Sequence, residues 1–419
     1  MKRNRILPVV LSGMLCAAAV LLGSCSEEDI PVVYDSGNTG GPAATITGVS
    51  PASALGLITQ VTLTGQNFGA VDTQNFVYFG TTPGTIISGT TTSLVVVPPD
   101  LDMDQYTIKV VVPGVFQPAT YGPYVVEHAG IEYGNFQDLD DVFSIAMDGS
   151  ENLYAQQAAV NTTTDTAKVY KVDPNQVKTV YGYLLDASLK GWPKASDMRI
   201  GPGGYLYLQQ TNNVNMYRIA PGGGITQPYV TLPGRASTIE FDSSGNIFAG
   251  GSLSLAGIFA VHPDRSMKAV GSYTGMNIKA LRVFGGYLYV AVATPAASAG
   301  VWKSQILDNA GTLGANVRVL TWSAAGGTYP SSGVTSMTIA ADGTIYVGTD
   351  NNSNPILAVP PVGTPASLYP GVLSPPATQL VWGNGQYLYC NRESTSGSVP
   401  RRIIRIAMGK NGATDFGRK

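Results

Sequence analysis

Few side chains in this 419-residue sequence could carry chemistry by themselves. Histidine occurs twice, at His128 and His262, and cysteine three times, at Cys16, Cys25 and Cys390. Two histidines cannot build a metal cluster, and a cysteine nucleophile wants a neighbouring base that this chain scarcely offers. His262, in Val261-His262-Pro263-Asp264, reads as a turn residue, and Cys390, in Tyr387-Leu388-Tyr389-Cys390, as a small buried hydrophobe at a strand end. Asp138, Asp140 and Asp141 fall in one short run. Such a run could hold calcium or act as an acid and a base, or simply be a solvated loop. No phosphate-cradling glycine loop or nucleotide fingerprint is present, so neither a cofactor, a metal site nor a catalytic residue is assigned.

A different set suits polar recognition. Trp192, Trp322 and Tyr329 are flat rings that could cover the apolar faces of a pyranose, while Gln209, Gln210, Asn212, Asp350 and Arg392 could meet its hydroxyls. Each has a structural alternative. Trp322 ends a strand and could pack internally, the amides could cap loop backbone, and Trp192, between Gly191 and Pro193, reads as exposed. Trp302 and Trp382 lie within strands and read as core.

These residues are positioned by an internal repeat. An apolar strand, a glycine-bearing turn and a second strand ending on an aromatic recur six times: Ser144 to Tyr154, Met198 to Tyr207, Ile239 to Phe248, Leu281 to Tyr289, Met337 to Tyr346 and Leu380 to Tyr389. The aromatics are 41 to 57 residues apart, the length of one four-stranded propeller blade. The pattern resembles the six-bladed propellers of the NHL type. A ring with an open edge would expose unpaired backbone. After the third strand of the last blade, Ile403 to Ile406, only the polar Gly409 to Lys419 remains, so the segment at Ile131 to Phe136 is expected to supply the outer strand of that blade. That topology gathers the amides and aromatics on the face of the second-to-third strand loops and the inter-blade crossings. Short glycine turns occupy the other face. Catalytic propellers of the streptogramin-lyase kind rely on histidine, which this chain scarcely has, and the Asp-box of sialidases is missing.

Residues 44–127 form a separate unit. Alternating strands at Val61–Thr64, Val77–Phe79, Leu94–Val97 and Tyr106–Val112, punctuated by Gly and Pro, predict a β-sandwich. With Ile46-Thr47-Gly48-Val49-Ser50-Pro51 and Gly65-Gln66-Asn67-Phe68-Gly69 they resemble the TIG, or IPT, domain, an immunoglobulin-like module that implies a spacer. The fold expected is all-β: an immunoglobulin-like sandwich at 44–127 and a six-bladed propeller at 128–419.

What precedes the sandwich is not globular sequence. Lys2, Arg3 and Arg5 begin an apolar run from Ile6 to Leu22, the build of a secretory signal over residues 1–24. Leu22-Gly23-Ser24-Cys25 resembles the bacterial lipobox, which implies lipidation at Cys25 and an anchor of acyl chains worth about 0.8 kcal/mol per buried methylene. Residues 25–43 read as a tether. Its Glu27, Glu28 and Asp29 resemble the surface-export signal of Bacteroidetes lipoproteins or are a solvated linker. The expected location is the outer membrane, facing the exterior.

Beyond the signal, 22 Lys and Arg stand against 27 Asp and Glu, no footprint for nucleic acid. With Cys16 removed and Cys25 acylated, no disulfide framework exists. Three functions are compatible with these residues. The first is a surface lipoprotein that binds a glycan on its long-loop face beside an outer-membrane transporter for nutrient uptake. The second is a protein-interaction or adhesion module. The third is a hydrolase or lyase using the carboxylates of the 138–141 run.

Overall fold

The computed structural model describes residues 40–159, 165–186, 188–251, 257–327, 329–393 and 400–418. The signal, Cys25 and most of the tether lie outside them. Among the described residues no helix is long and apolar enough to cross a membrane.

Residues Thr45–Glu127 make two packed sheets. One carries the strands Thr45–Ser50, Val61–Gln66, Ser93–Val97 and Thr85–Gly89. The other carries Ser53–Leu55, Ala119–Glu127, Asp104–Val111, Phe76–Phe79 and Thr82–Pro83. Strand side chains alternate between faces. In Val61–Gln66 that alternation buries Val61, Leu63 and Gly65 and turns Thr64 and Gln66 to solvent. Leu94, Val96, Phe79, Ile108, Val110 and Val126 complete the core between the sheets.

The rest of the chain is a six-bladed propeller. The inner strands of blades 1 to 6 are Val142–Met147, Ala195–Ile200, Ala236–Phe241, Asn277–Phe284, Val334–Ile339 and Gln379–Trp382. Each pairs with the second strand of its own blade and packs on the inner strand of the next. One apolar position per inner strand makes this possible: Ile145, Met198, Ile239, Leu281, Met337 and Leu380 are all at 0% exposure. Most of the repeating aromatics are buried between blades as well, Tyr154, Tyr207, Phe248, Tyr346 and Tyr389 among them. Trp382 is core, whereas Trp302 is only half-buried, its indole under the guanidinium of Arg318.

The ring closes as topology demands. Gly130–Glu132 pairs antiparallel with Arg402–Ala407 and becomes the outer strand of blade 6, so the last blade is built from both sides of the propeller sequence. The pairing ends with a bond from the Tyr133 N–H to the carbonyl of Ile403 at 2.8 Å, and the side chains of Tyr133 and Phe136 pack into the core between blades 6 and 1.

Only His128 and Ala129 separate the last sandwich strand from this closing strand. The junction is tied on both sides. Tyr387 of blade 6 donates to Glu127 at 2.8 Å. The two ring nitrogens of His128 lie 2.8 Å from Asp100 and 2.8 Å from Asp102 of the sandwich. Burial pushes the imidazole pKa down, but the two carboxylates outweigh it and hold the value above the ordinary one. A raised histidine contributes stability that is complete below the unfolded value of about 6.5 and lost as pH rises through the folded value. The thermal midpoint of the sandwich should therefore fall as pH rises above about 6.5, and His128→Gln should flatten the profile. Calorimetry across that range checks it; an unchanged slope in the variant would mean that another group sets it.

Candidate functional site

The inner strands of blades 1 to 5 enter the ring through an irregular register, whereas that of blade 6 pairs regularly. In blades 1 to 5 the register skips Phe143, Ser196, Ser237, Lys279 and Thr335 respectively. A bulge bends its strand and re-aims a side chain. Here all five, together with Thr378 just ahead of the inner strand of blade 6, line one mouth of about 210 Å³ on the long-loop face. Thr211 and Glu393, from second-to-third strand loops, complete its rim.

The hydroxyls of this mouth share a further property. Ser196 shares its proton between the carbonyls of Ala236 in the next blade, at 3.4 Å, and Gln209 in its own, at 3.3 Å; Ser237 donates to the carbonyl of Ile278 at 2.7 Å, Thr335 to that of Ala377 at 2.6 Å, and Thr378 to that of Asn391 at 2.9 Å. The bonds to Ala236, Ile278 and Ala377 staple one blade to the next. Each hydroxyl has one proton and two lone pairs, so once the proton is committed the group can only accept. Four acceptor oxygens thus face the mouth. Thr211 Oγ1, also on the rim, is buried with no partner.

Below the hydroxyls lies a floor of ions. Arg199 pairs with Asp197 at 2.7 Å and with Glu240 at 3.3 Å, and Arg282 reaches the same Glu240 at 3.4 Å. Gln379 donates to Asp197 at 2.8 Å and accepts from the backbone of Ile145 at 2.6 Å, and Arg282 donates to the carbonyl of Leu380 at 2.8 Å. Five of the six blades are thereby laced together across the channel. Burial pushes Glu240 above the ordinary carboxylate range despite its two guanidinium partners. Burial and the neighbouring charge of Arg199 pull Arg282 down to about 10.

Beneath the floor the C-terminal segment stoppers the channel from the short-turn face. Gly412 bridges to Ala340, Ala413 donates to the carbonyl of Ile339 at 3.0 Å, and Phe416 packs 5.5 Å from Phe241. The buried guanidinium of Arg418 binds Asp415 and the carbonyls of Gly383 and Ala413. Only glycine fits at 412, because a Cβ there would lie 2.2 Å from the ring of Trp382. Some 40 Å³ of space remains between stopper and floor. The channel is therefore blind, open only on the long-loop face.

A wider cleft of about 500 Å³ lies on the short-turn face between blades 3 and 4. Its acids are spent locally: Asp242 caps Ser244 and Asn246, and Asp308 caps Ala310 and Thr312. It draws on two blades and the stopper, whereas the mouth is lined by all six blades.

The aromatic platform expected from sequence is not on the surface. Trp192 is 4% exposed and stacks on Tyr217 at 5.0 Å. Its backbone bonds to the carbonyl of Leu184 and turns the ring inward. Trp322 is 4% exposed and Tyr329 5%, both filling the core between blades 4 and 5, where Tyr329 donates to Ile356 and Ser367. Gln209 is fully buried and donates to the carbonyls of Gln210 and Asn213, a loop staple rather than a ligand contact. Gln210 is half-buried, Asn212 is an exposed positive-φ turn residue, and exposed Asp350 accepts from Gly333. Arg392 is buried against Pro400 and Glu132. None of these lines the mouth. The 138–141 acids are drawn into ion pairs: Asp138 with Arg402, Asp140 with Lys178, Asp141 with Lys194 and Arg401. Among the described residues no group of His, Cys, Asp or Glu is placed to hold a metal. Burial pushes the Cys390 thiol up to about 12, too high for a thiolate nucleophile. The one aromatic of the mouth is Phe143, half-buried, with the Lys194 ammonium 3.4 Å above its ring.

The mouth residues went unnoticed in the sequence because a bulge is a property of pairing. A signal did exist: each stands two residues before the buried apolar position of its repeat, Ile145, Met198, Ile239, Leu281, Met337 or Leu380.

Comparison with known proteins agrees with this architecture. Residues 44–126 match the IPT/TIG domain model. No curated protein matches the chain. A putative phosphatase from Bacteroides thetaiotaomicron is similar in structure, with a TM-score of 0.57 and 11% identity over 88% of this chain and 98% of its own. An auxiliary nutrient binding protein from the same organism has a TM-score of 0.52 and 14% identity over 87% of this chain and 98% of its own. A luciferin-regenerating enzyme has a TM-score of 0.51 and 14% identity over 69% of this chain and 99% of its own. At such identities the likeness is one of fold, and three unlike names on one architecture show that chemistry must be argued from the site.

Proposed function

We propose that this protein is a lipid-anchored cell-surface lipoprotein that binds a glycan in the mouth of its propeller, in the service of nutrient uptake. The observation that carries the reading is the ring of hydroxyl oxygens whose protons are already committed. Such a lining matches a ligand rich in hydroxyl donors, which a saccharide is. With Trp192 and Trp322 buried, recognition is by hydrogen bonding, with Phe143 as the single apolar contact. The auxiliary nutrient binding protein of similar fold is consistent with this role, and the lipobox-like Leu22 to Cys25 supplies the anchor. The sandwich then serves as the arm between anchor and propeller.

Calorimetry of the full chain in detergent against a panel of oligosaccharides tests the proposal, with released reducing ends followed in the same samples. Binding without new reducing ends is expected. Removing two acceptors in Ser237→Ala/Thr335→Val should weaken it about tenfold, at roughly 0.5–1.5 kcal/mol per hydrogen bond. Silence across the panel, or new reducing ends, would overturn the reading.

A further inference from the structure

The geometry points to an acidic glycan end as the ligand: the terminal unit of a chain, bearing a carboxylate or sulfate that Lys279 receives at the lip of the mouth. This inference rests on the glycan reading above and narrows it. Four of the six mouth positions carry hydroxyls and one carries Phe143; in blade 4 the same position is Lys279. Its side chain is exposed and forms no ion pair with any described residue. Arg282 lies three residues on in the same inner strand and lines the same mouth at its floor. Blade 4 therefore presents a cation at the lip and another at the base.

The acids of the mouth do not cancel this pair. Asp197 is consumed by Arg199, Gln379, Thr238 and two backbone N–H groups. Glu240 is divided between Arg199 and Arg282, one carboxylate between two guanidinium groups. Glu393, also on the rim, comes from blade 6, where Lys194 and Arg401 are its cationic neighbours. Of the mouth's cations Lys279 is the uncommitted one, since Arg199 and Arg282 are paired. A neutral ligand would leave it idle, whereas an anionic group would form charge-assisted hydrogen bonds there, while its ring hydroxyls donate to Ser237 and Thr335.

The second half of the inference is the end-on mode. The channel is stoppered by the 412–418 segment, so a polymer cannot thread it. The open volume of about 210 Å³ falls below the roughly 300–1,000 Å³ of pockets that enclose larger ligands. A blind socket of that size takes a terminus and leaves the remaining units outside.

The test is a matched pair of probes titrated calorimetrically into the full chain: an oligogalacturonide and the corresponding neutral galacto-oligosaccharide, each also as a monosaccharide. The wild type should prefer the acidic oligomer by about tenfold or more at low salt, the range expected for a hydrogen bond to a charged partner. Added salt should erode that preference. In Lys279→Met the ratio of the two affinities should fall towards one, and in Lys279→Glu it should invert. An unchanged thermal midpoint reports that both variants fold. Acidic monosaccharide that competes for the oligomer's site supports end-on binding; failure to compete overturns it. Equal binding of both oligomers, or a ratio unmoved in Lys279→Met, overturns the acidic preference while leaving the glycan reading intact. Binding of neither oligomer, together with silence across the wider panel, overturns both.

Discussion

Glu240→Ala should cost about 3–5 kcal/mol, the penalty for breaking a buried ion pair by deleting one partner. Glu240 is 3% exposed and lies 3.3 Å from Arg199 and 3.4 Å from Arg282. Without it two guanidinium groups face each other beneath the mouth, already close enough that Arg199 depresses Arg282. The thermal midpoint of the propeller should drop by on the order of 10 °C. Because the penalty belongs to the stranded charge rather than to the lost contact, Glu240→Ala/Arg282→Met should recover much of it. Differential scanning calorimetry of the two variants decides the point; a double variant no more stable than the single would show that Arg282 is not the stranded charge.

The second large effect concerns the stopper. Ending the chain after Met408 removes Phe416 from Phe241, the Arg418 bonds to Gly383 and Ala413, and the Gly412 bridge to Ala340. The half-buried phenyl and the buried guanidinium together should account for roughly 2–4 kcal/mol. Beyond the lowered midpoint, the inner strands of blades 2, 3 and 5 should exchange their amide hydrogens faster, since water would then reach them from both faces. Protection unchanged at Ile239 and Ile339 would mean that the stopper decorates a channel sealed by other means.

Much of the fold was legible because its determinants are local. The six repeats could be counted since each inner strand must bury one residue of the Ile145 and Met198 series and each second strand ends on an aromatic. Closure by the strand after Ala129 followed from the need to cover an edge. The site was less legible because its determinants are not local. Gly191 and Pro193 flank Trp192 identically whether the ring faces water or Tyr217, and the bond from Trp192 to Leu184 that decides the matter joins a crossing loop to the end of blade 1. Trp322 and Tyr329 are buried by the neighbouring blade. The bulges depend on register, which a single strand does not reveal. The charged floor went unnoticed too, although its signal was local: Arg199, Glu240 and Arg282 occupy one offset in three successive repeats, each between apolar residues and alternating in sign.

The closing strand has a mechanical consequence. Gly130–Glu132 spans three residues, directly follows the sandwich, and is the point through which any pull on the N-terminal side enters the propeller. Tension would first meet the Tyr387–Glu127 bond and the His128 clasp, then the pairing with Arg402–Ala407. The ring is thus loaded at the seam where it was joined, so blade 6 is its fuse: under shear the propeller would open there first, while blades 1 to 5, each continuous in sequence, held together.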